Sequence, residues 1–148
     1  ESKKYERRLV TNKFGTYEVV SPWEVINPYQ QVPDSIPKPH YYNSWMPEEP
    51  PTQIEIKNEN QIECMRHSCI LAKRVLNHAK KLIEPGVTTD HINQQLHDLI
   101  INNGAFPSPL KYNGFPKSIC TSVNNVACHG IPDTRPLVNG DSLNVDVT

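Results

Sequence analysis

Several features that define common protein classes are scarce or absent in this sequence of 148 residues. It contains no run of about 18 apolar residues, so nothing in it resembles a membrane-spanning helix. Its net charge is only -1, which gives no reason to expect nucleic acid or an anionic membrane as a partner. Its 4 cysteines form no C-x-x-C pair, which argues against a structural zinc site. We expect reduced, mostly buried thiols and a reducing compartment instead.

Hydrophobic residues are also few, at 36% of the chain against about 45–50% in typical globular domains. The shortage is partly local, because more than half of the 14 prolines lie between Pro22 and Pro51. Each proline removes a backbone donor and fixes φ, so we predict that residues 1–53 form a proline-rich extension without periodic structure. The extension is aromatic, which favours an arm docked on a domain surface. The alternative is a proline-rich ligand for a partner domain.

Regular structure is predicted to start near Ile54. Ile54 and Ile56 alternate with charged residues, which suggests a short strand or a docking segment. Asn58, with Gln61 three residues later, is close to a capping box and predicts a long helix that ends at Pro85-Gly86. Apolar residues at helical spacing predict its buried face. They are Ile62, Met65, Cys69, Ala72, Leu76, Ala79 and Ile83.

A second helix follows, and strands come after it. Thr88 is the predicted N-cap, and Ile92, Leu96, Leu99 and Ile100 form the predicted apolar face. The segments "SICTSV" and "VACHG" flank Asn124-Asn125, a pattern typical of two strands joined by a tight turn. In the last segment, Asp146 lies on the polar side of an alternating strand. Helices followed by strands predict an α+β fold.

Two residues are candidates for chemistry. Asp146 is either a solvent-facing carboxylate or a metal ligand or acid/base group on a rigid strand. His129 stands where a predicted strand meets Gly130 and Pro132. An imidazole there either lies in an ordinary loop or donates to negative charge that develops on a substrate. The residues alone leave both pairs of alternatives open.

The segment from Pro107 to Thr148 closely resembles the type I methionine aminopeptidases. The motifs PSPL, FPKS, CTSVN, CHGIPD, RPL, NGD and NVDVT occur in that family's order and spacing. The resemblance extends more weakly back through "EPGVTTDHI" to Asn58. The chain lacks the paired zinc motifs of the eukaryotic cytosolic form. With "IEIKNENQI" and "SVNNV", it looks most like the mitochondrial form, and a cytoplasmic location is the alternative.

The resemblance implies a fold and an activity. Members have the pita-bread fold, in which two similar α+β halves surround a curved antiparallel sheet. Residues 54–148 would be the N-terminal part of such a catalytic domain, truncated after its first half. Members remove the initiator methionine when the second residue is small. Two divalent ions, of cobalt, manganese, iron or zinc, activate the attacking water.

The resemblance also assigns roles by position. Asp146 matches the first carboxylate metal ligand. His129 matches the histidine that contacts the substrate and stabilises the tetrahedral intermediate. Three positions match the lining of the methionine side-chain pocket: Tyr112, Phe115 and Cys120. Two main-chain carbonyls match a monovalent-cation loop: those of Asn124 and Val126.

The expected partners follow from the same resemblance. We expect N-terminal peptides of newly made proteins, with the ribosome as a further candidate, and neither nucleic acid nor a membrane. We expect a monomer. Because the family's remaining metal ligands do not occur in the 148 residues, this chain by itself is expected to be inactive. The alternative is an inactive fragment, or a pita-bread protein that binds peptide or the ribosome without catalysis.

Overall fold

Two long helices and two short antiparallel ribbons make up most of the regular structure. The computed structural model describes residues 8–148, so the first seven residues of the predicted extension lie outside the description. The helices are α1 (Tyr41–Ser44), α2 (Glu59–Leu82) and α3 (Thr89–Asn102), and a 3-10 turn spans Tyr112–Gly114. The strands are β1 (Arg8–Asn12), β2 (Gly15–Val19), β3 (Cys120–Val123) and β4 (Leu143–Asp146). The long helices precede the β3–β4 pair, which confirms the α+β prediction.

Helix α2 begins and ends as predicted, but its buried face is different. The Asn58 side chain accepts from the Gln61 amide at 3.0 Å, and the Gln61 side chain accepts from the Asn58 amide at 2.9 Å. The predicted face is wrong in its first half, because only Val75 and Ala79 of α2 are buried. The side that meets the core includes Leu71 and Leu82, so it is rotated from the predicted one.

Helix α3 confirms the predicted cap and the buried face. The Thr88 side chain accepts from the His91 amide at 3.1 Å. Ile92, Leu96 and Ile100 are buried in the main core. The core also contains Ile119, Val123 and Leu137, so α3 packs directly against the segment that forms β3. Within residues 8–148, no helix has both the length and the apolar character needed to cross a membrane.

Strand β3 pairs with β4, and the predicted pairing with "VACHG" is wrong. The register joins Cys120 to Asp146 and Val123 to Leu143. The tight turn after β3 does form, since the Val126 amide donates to the Val123 carbonyl at 3.0 Å. The chain then runs as a loop, because His129 has a φ of 53°, which a regular strand does not accommodate.

The N-terminal region contains structure that the sequence analysis did not predict. Strands β1 and β2 form a hairpin with Val10 opposite Tyr17, and Gly15 supplies a φ of 114° in its turn. The short strand suggested around Ile54 is wrong. Ile54 and Ile56 are 94% and 92% exposed, and no strand includes them. Alternation without a partner strand therefore did not produce a strand here.

Residues 20–45, called the arm below, lie against the body of the protein. The Trp23 amide donates to Asp133 Oδ2 at 2.9 Å, and the Tyr29 amide donates to the Pro116 carbonyl at 2.8 Å. Val32 and Ile36 of the arm are buried in a second apolar cluster. These contacts agree with a docked arm. The division of the chain at residue 53 stays a prediction.

The thiols are reduced, as expected, but most of them are not buried. All four cysteines are free. Cys64, Cys69 and Cys128 are exposed, and only Cys120 is buried. The expectation of buried thiols is wrong for the two helical cysteines because they lie on the part of α2 that does not meet the core. It is wrong for Cys128 because that residue lies in a loop and not in a strand.

Candidate functional site

The β3–β4 ribbon brings Asp146 next to Cys120. Paired residues of an antiparallel ribbon project to the same face, so Cys120 and Asp146 share a face with Ser122 and Asn144. Val123, Leu143 and Val145 belong to the opposite face, which packs on the main core. Asp146 is exposed while Cys120 is buried. The ribbon therefore presents one accessible carboxylate beside one sheltered thiol.

The thiol of Cys120 is held in its neutral form. Burial raises the pKa of Cys120 to about 11, and the nearby Asp146 and Cys128 act in the same direction. A thiolate is the form that acts as a nucleophile or a metal ligand, so Cys120 is poorly suited to either task here. A neutral, polarizable thiol is suited to lining an apolar pocket.

The loop that carries His129 packs closely against β3 and is hydrogen-bonded to it. The Thr121 amide donates to the Gly130 carbonyl at 2.8 Å, and the Gly130 amide donates to Ser122 Oγ at 3.1 Å. A Cβ atom at Gly130 would lie 2.1 Å from the Thr121 carbonyl oxygen, so only glycine fits this approach. Gly130 thereby fixes the position of His129. His129 is exposed and borders a cleft of about 320 Å³ with Trp23 of the arm.

Asp133 lies further along the same loop and holds it in place through hydrogen bonds. Its carboxylate accepts from the Trp23 amide at 2.9 Å and from the Arg135 amide at 3.0 Å. Its own amide donates to Thr89 Oγ1 at 2.9 Å, at the start of α3. Asp133 thus connects the arm, the loop and a helix N-terminus. The sequence analysis recognised it only as part of a motif and assigned it no contact.

A buried ion pair closes the next turn. The Arg135 guanidinium donates to both carboxylate oxygens of Asp141, at 2.8 and 3.2 Å. Burial by itself would raise the pKa of Asp141, but hydrogen bonds from Arg135 and from the Val138 amide outweigh it and hold that pKa below its usual value. Asp141 therefore stays ionised and also accepts from the Asn124 side chain at 2.7 Å.

Asn124 and Val126 lie in the tight turn at the end of β3. The Asn124 amide donates to the Ser142 carbonyl at 3.0 Å, and its side-chain oxygen accepts from the Ser142 amide at 2.9 Å. Asn124 has a φ of 51°, a left-handed conformation that asparagine tolerates better than most residues. The turn is thus firmly closed. The cation role of its two carbonyls stays a prediction.

Tyr112 and Phe115 lie in a compact aromatic turn, residues 111–115. The Lys111 amide donates to the Phe115 carbonyl at 2.8 Å, and the Phe115 amide donates to the Tyr112 carbonyl at 2.9 Å. The Tyr112 ring is 45% exposed, and its edge contacts the Tyr41 ring at a centroid distance of 5.3 Å. The turn therefore presents aromatic surface while being fixed by its own backbone.

The FPKS motif has a structural role that the sequence analysis missed. Lys117 is fully buried, and its ammonium pairs with Asp90 and donates to the Ile26 carbonyl. The Ser118 amide donates to Asn93 Oδ1 at 2.9 Å. The motif therefore joins the arm and α3 to β3. A lysine in a proline-containing loop gives no sequence signal of burial, since lysine is almost always exposed.

His97 completes this buried polar network in its neutral form. Its Nε2 lies 3.1 Å from the Gln31 carbonyl, which can only accept, so Nε2 carries the proton. Its Nδ1 therefore accepts from Ser118 Oγ at 2.7 Å. Burial lowers the pKa of His97, while the Gln31 carbonyl and Asp98 act in the opposite direction without reversing it.

Asp146 is the carboxylate candidate for a metal ligand, but the described residues do not assemble a full ligand set around it. Within residues 8–148, no group of three or more His, Cys, Asp or Glu side chains is arranged to hold a metal ion. Protein metal sites of the hydrolytic kind use about three protein ligands per ion. These residues by themselves therefore do not fit a two-metal centre, and Asp146 would contribute one ligand to it.

The chain belongs to the metallopeptidases of family M24, because residues 63–148 match the sequence profile of that family. Members of a metallopeptidase family work with bound metal. The methionine aminopeptidase 1D, chloroplastic/mitochondrial, of Arabidopsis thaliana is 53% identical over 123 residues, which are 83% of this chain and 35% of that protein. The mitochondrial methionine aminopeptidase 1D of Mus musculus is 47% identical over 133 residues, 90% of this chain and 39% of that protein.

A solved structure agrees. The crystal structure of methionine aminopeptidase from Rickettsia prowazekii is 46% identical, with a TM-score of 0.63, over 64% of this chain and 38% of that one. These findings confirm the resemblance to type I methionine aminopeptidases of the mitochondrial kind. They also confirm the pita-bread fold, of which part is matched. The chain spans 35–39% of the length of the curated relatives named above.

Proposed function

We propose that the whole protein is a mitochondrial methionine aminopeptidase that removes the initiator methionine from new proteins with a small second residue. The observation that carries the proposal is the Cys120–Asp146 pair, beside a His129 loop that only Gly130 permits. The high identity to enzymes of that name over most of this chain supports it. A cytoplasmic location is the alternative.

The metal centre is proposed to hold two divalent ions of cobalt, manganese, iron or zinc. Asp146 supplies one carboxylate to it from a rigid strand. The remaining ligands come from outside residues 8–148. The main-chain carbonyls of Asn124 and Val126 are proposed to bind a monovalent cation at the neighbouring turn.

Substrate recognition is assigned to the other candidates. His129 donates to the negative charge that develops on the carbonyl oxygen, and its rigid loop keeps that donor in place. Tyr112, Phe115 and Cys120 form a pocket for the methionine side chain. Aromatic rings and a neutral thiol are favourable contacts for a thioether. The substrates are N-terminal peptides of newly made proteins, met as free chains or on the ribosome, and the enzyme is a monomer.

The first test is Asp146→Asn in the full-length protein. The change keeps the side-chain shape and removes the charge that offsets a dication. We expect loss of bound metal by elemental analysis, together with loss of methionine release from a Met-Ala-Ser peptide. Asn144→Ala is the matched control, because Asn144 is exposed on the same face and has no assigned role. Full metal content and activity in Asp146→Asn would refute the ligand role.

The second test is His129→Ala, which removes a donor and no ligand. We expect kcat to fall by about 10²–10³, the usual cost of losing one oxyanion donor, with bound metal unchanged. Loss of metal without loss of turnover per loaded site would show that the two roles are assigned wrongly. A protein that binds peptide but releases no methionine would favour the non-catalytic alternative.

A further inference from the structure

One arm residue brackets Phe115 from both sides. The Tyr29 amide donates to the carbonyl of Pro116 at 2.8 Å. The Tyr29 hydroxyl donates to the carbonyl of Gly114 at 3.3 Å. Because these two carbonyls flank Phe115 in the chain, Tyr29 restrains the backbone on both sides of that residue.

Two further arm aromatics contact the same turn. The Tyr41 ring lies edge-on to the Tyr112 ring at 5.3 Å, and the Tyr41 hydroxyl donates to the Ser108 carbonyl at 2.6 Å. The Trp45 ring packs on the Tyr29 ring at 4.6 Å. A Cβ atom at Gly114 would lie 3.8 Å from the Trp45 ring, so the indole covers this glycine. Tyr29, Tyr41 and Trp45 therefore contact one side of the aromatic turn, and the Tyr112 ring remains partly exposed.

The backbone on both sides of this contact is held in an uncommon conformation. Tyr29 and Trp45 in the arm have φ values of 58° and 62°. Lys111 and Asn113 in the turn have φ values of 69° and 49°. Such non-glycine conformations cost about 1–3 kcal/mol each and persist only where the surroundings determine them. These conformations occur on both sides of one contact. This indicates that the arm stabilises the backbone conformation of the turn, and that the turn stabilises that of the arm.

We infer that Tyr29, Tyr41 and Trp45 are positioning residues for the methionine side-chain pocket. They hold Tyr112 and Phe115 in place, so the proline-rich arm takes part in choosing the N-terminal residue of the substrate. This inference rests on the proposed function, which assigns Tyr112 and Phe115 to the pocket. None of the three arm residues touches the substrate; each acts through the turn.

The first measurement is substrate selectivity of the full-length, metal-loaded protein. In Tyr41→Leu and Trp45→Leu, kcat/KM for Met-Ala-Ser should fall more than kcat/KM for Leu-Ala-Ser. We expect the ratio to fall by about threefold to tenfold, a fraction of the roughly 10–200-fold that a well-formed pocket gains per methylene. Tyr41→Phe keeps the ring on Tyr112 and should restore most of the ratio. Trp45 is 38% exposed and lies outside both apolar clusters, so we expect its replacement to leave the fold intact.

The second measurement does not depend on catalysis. The amides of Gly114 and Phe115 donate within the turn, and their hydrogen exchange reports whether it stays closed. We expect about tenfold faster exchange in Tyr41→Leu and Trp45→Leu. Ile36→Ala is the matched control. Ile36 is a buried residue of the arm, and the apolar cluster that contains it includes no residue of the aromatic turn.

The outcomes separate this inference from the proposed function. If the unaltered protein releases no methionine, the proposed function fails, and the exchange measurement alone decides whether the arm holds the turn. If the unaltered protein is active and neither variant changes the ratio or the exchange, the inference is overturned. It is also overturned if Ile36→Ala changes the ratio as much as Tyr41→Leu, because the effect is then general destabilisation of the arm.

Discussion

Helices α2 and α3 follow one another in the chain and both have a side-chain N-cap, yet they are buried very differently. In α3, Ile92 and Leu96 are both 0% exposed. In α2, Met65 and Ile70 are 52% and 66% exposed, and burial is confined to the second half of the helix. Helical spacing of apolar residues therefore predicts that a helix has an apolar face, but not how much of that face is buried. The surrounding chain determines which part of the face is covered.

The polar contacts differ in the same way. Helix α3 carries the buried links to the FPKS motif, through Asp90, Asn93 and His97. In helix α2, Glu63 Oε1 lies 3.2 Å from His67 Nε2, and both side chains are largely exposed. Helix α3 is therefore the element that joins the arm and β3 to the core. Among the described residues, nothing covers the first half of α2, and nearly all of its side chains are exposed. Four pairs of substitutions test this contrast.

The largest effect is expected from breaking the buried ion pair of α3. In Asp90→Ala, the Lys117 ammonium stays buried with only the Ile26 carbonyl as its remaining partner among the described contacts. Leaving a buried charge without its counter-ion costs about 3–5 kcal/mol of folding free energy. Urea denaturation of the full-length protein measures the loss.

Glu63→Ala on α2 is the control for that experiment. It removes an exposed pair with His67, which is worth at most about 1 kcal/mol. Equal losses in Asp90→Ala and Glu63→Ala would mean that Lys117 is accessible to water, and the contrast between the two helices would fail.

A smaller effect is expected from core truncation. Ile92→Ala removes a fully buried side chain of α3 and should cost about 3 kcal/mol, from lost burial and the cavity that remains. Ile70→Ala, on the exposed side of α2, should change stability by no more than about 0.5 kcal/mol. The two denaturation midpoints give the comparison. A large loss in Ile70→Ala would show that another part of the full-length protein covers this side of α2.

The sequence was sufficient for features that depend on a few neighbouring residues. Both helix caps and the turn at Asn124 follow from local side-chain chemistry, and the structure has them. The pairing of β3 could not be predicted, because "VACHG" has the composition of a strand. The left-handed backbone at His129 and the close approach of Gly130 to Thr121 decide against it, and both arise from tertiary packing.

The candidate site shows the same limit. The family motifs made Asp146, His129 and Cys120 candidates, but the adjacency of Asp146 and Cys120 requires the β3–β4 register, which joins distant segments. The contacts of Tyr41 and Trp45 with the aromatic turn were missed beyond the general expectation of a docked arm. Their partners lie far along the chain and leave no periodic signal.

Protonation of His97 should give α3 a pH-dependent contribution to stability. Its pKa is lowered in the folded protein, so the unfolded chain takes up a proton first as the pH falls below about 6.5. The contribution is fully present above that pH and is lost as the pH falls toward the folded-state pKa, with a slope of up to about 1.4 kcal/mol per pH unit.

Denaturation of His97→Gln and of the unaltered protein between about pH 8 and pH 5 measures this slope. The difference between the two proteins should narrow toward acid pH. Asn77→Ala on α2 is the control, because Asn77 is exposed and has no titratable group, so the difference between it and the unaltered protein should not change with pH. A constant difference for His97→Gln would show that His97 has the same pKa in the folded and unfolded chains, and a difference that widens toward acid pH would show that its pKa is raised by folding.

The smallest effect is expected at the two helix caps, and it separates local from global stability. Thr88→Ala removes the cap of a helix whose first turn is already buried at Thr89, so α3 cannot unwind there without opening the core. We expect a loss of about 1 kcal/mol in global stability. Asn58→Ala removes a capping box from a helix end at which no residue is buried. The first turn of α2 can then fray alone, so global stability should change by less than about 0.5 kcal/mol, while amide exchange at Gln61 and Ile62 becomes faster.

Equal global losses for the two variants would mean that the start of α2 unfolds together with the core. The distinction between the two helices would then apply to side-chain burial only.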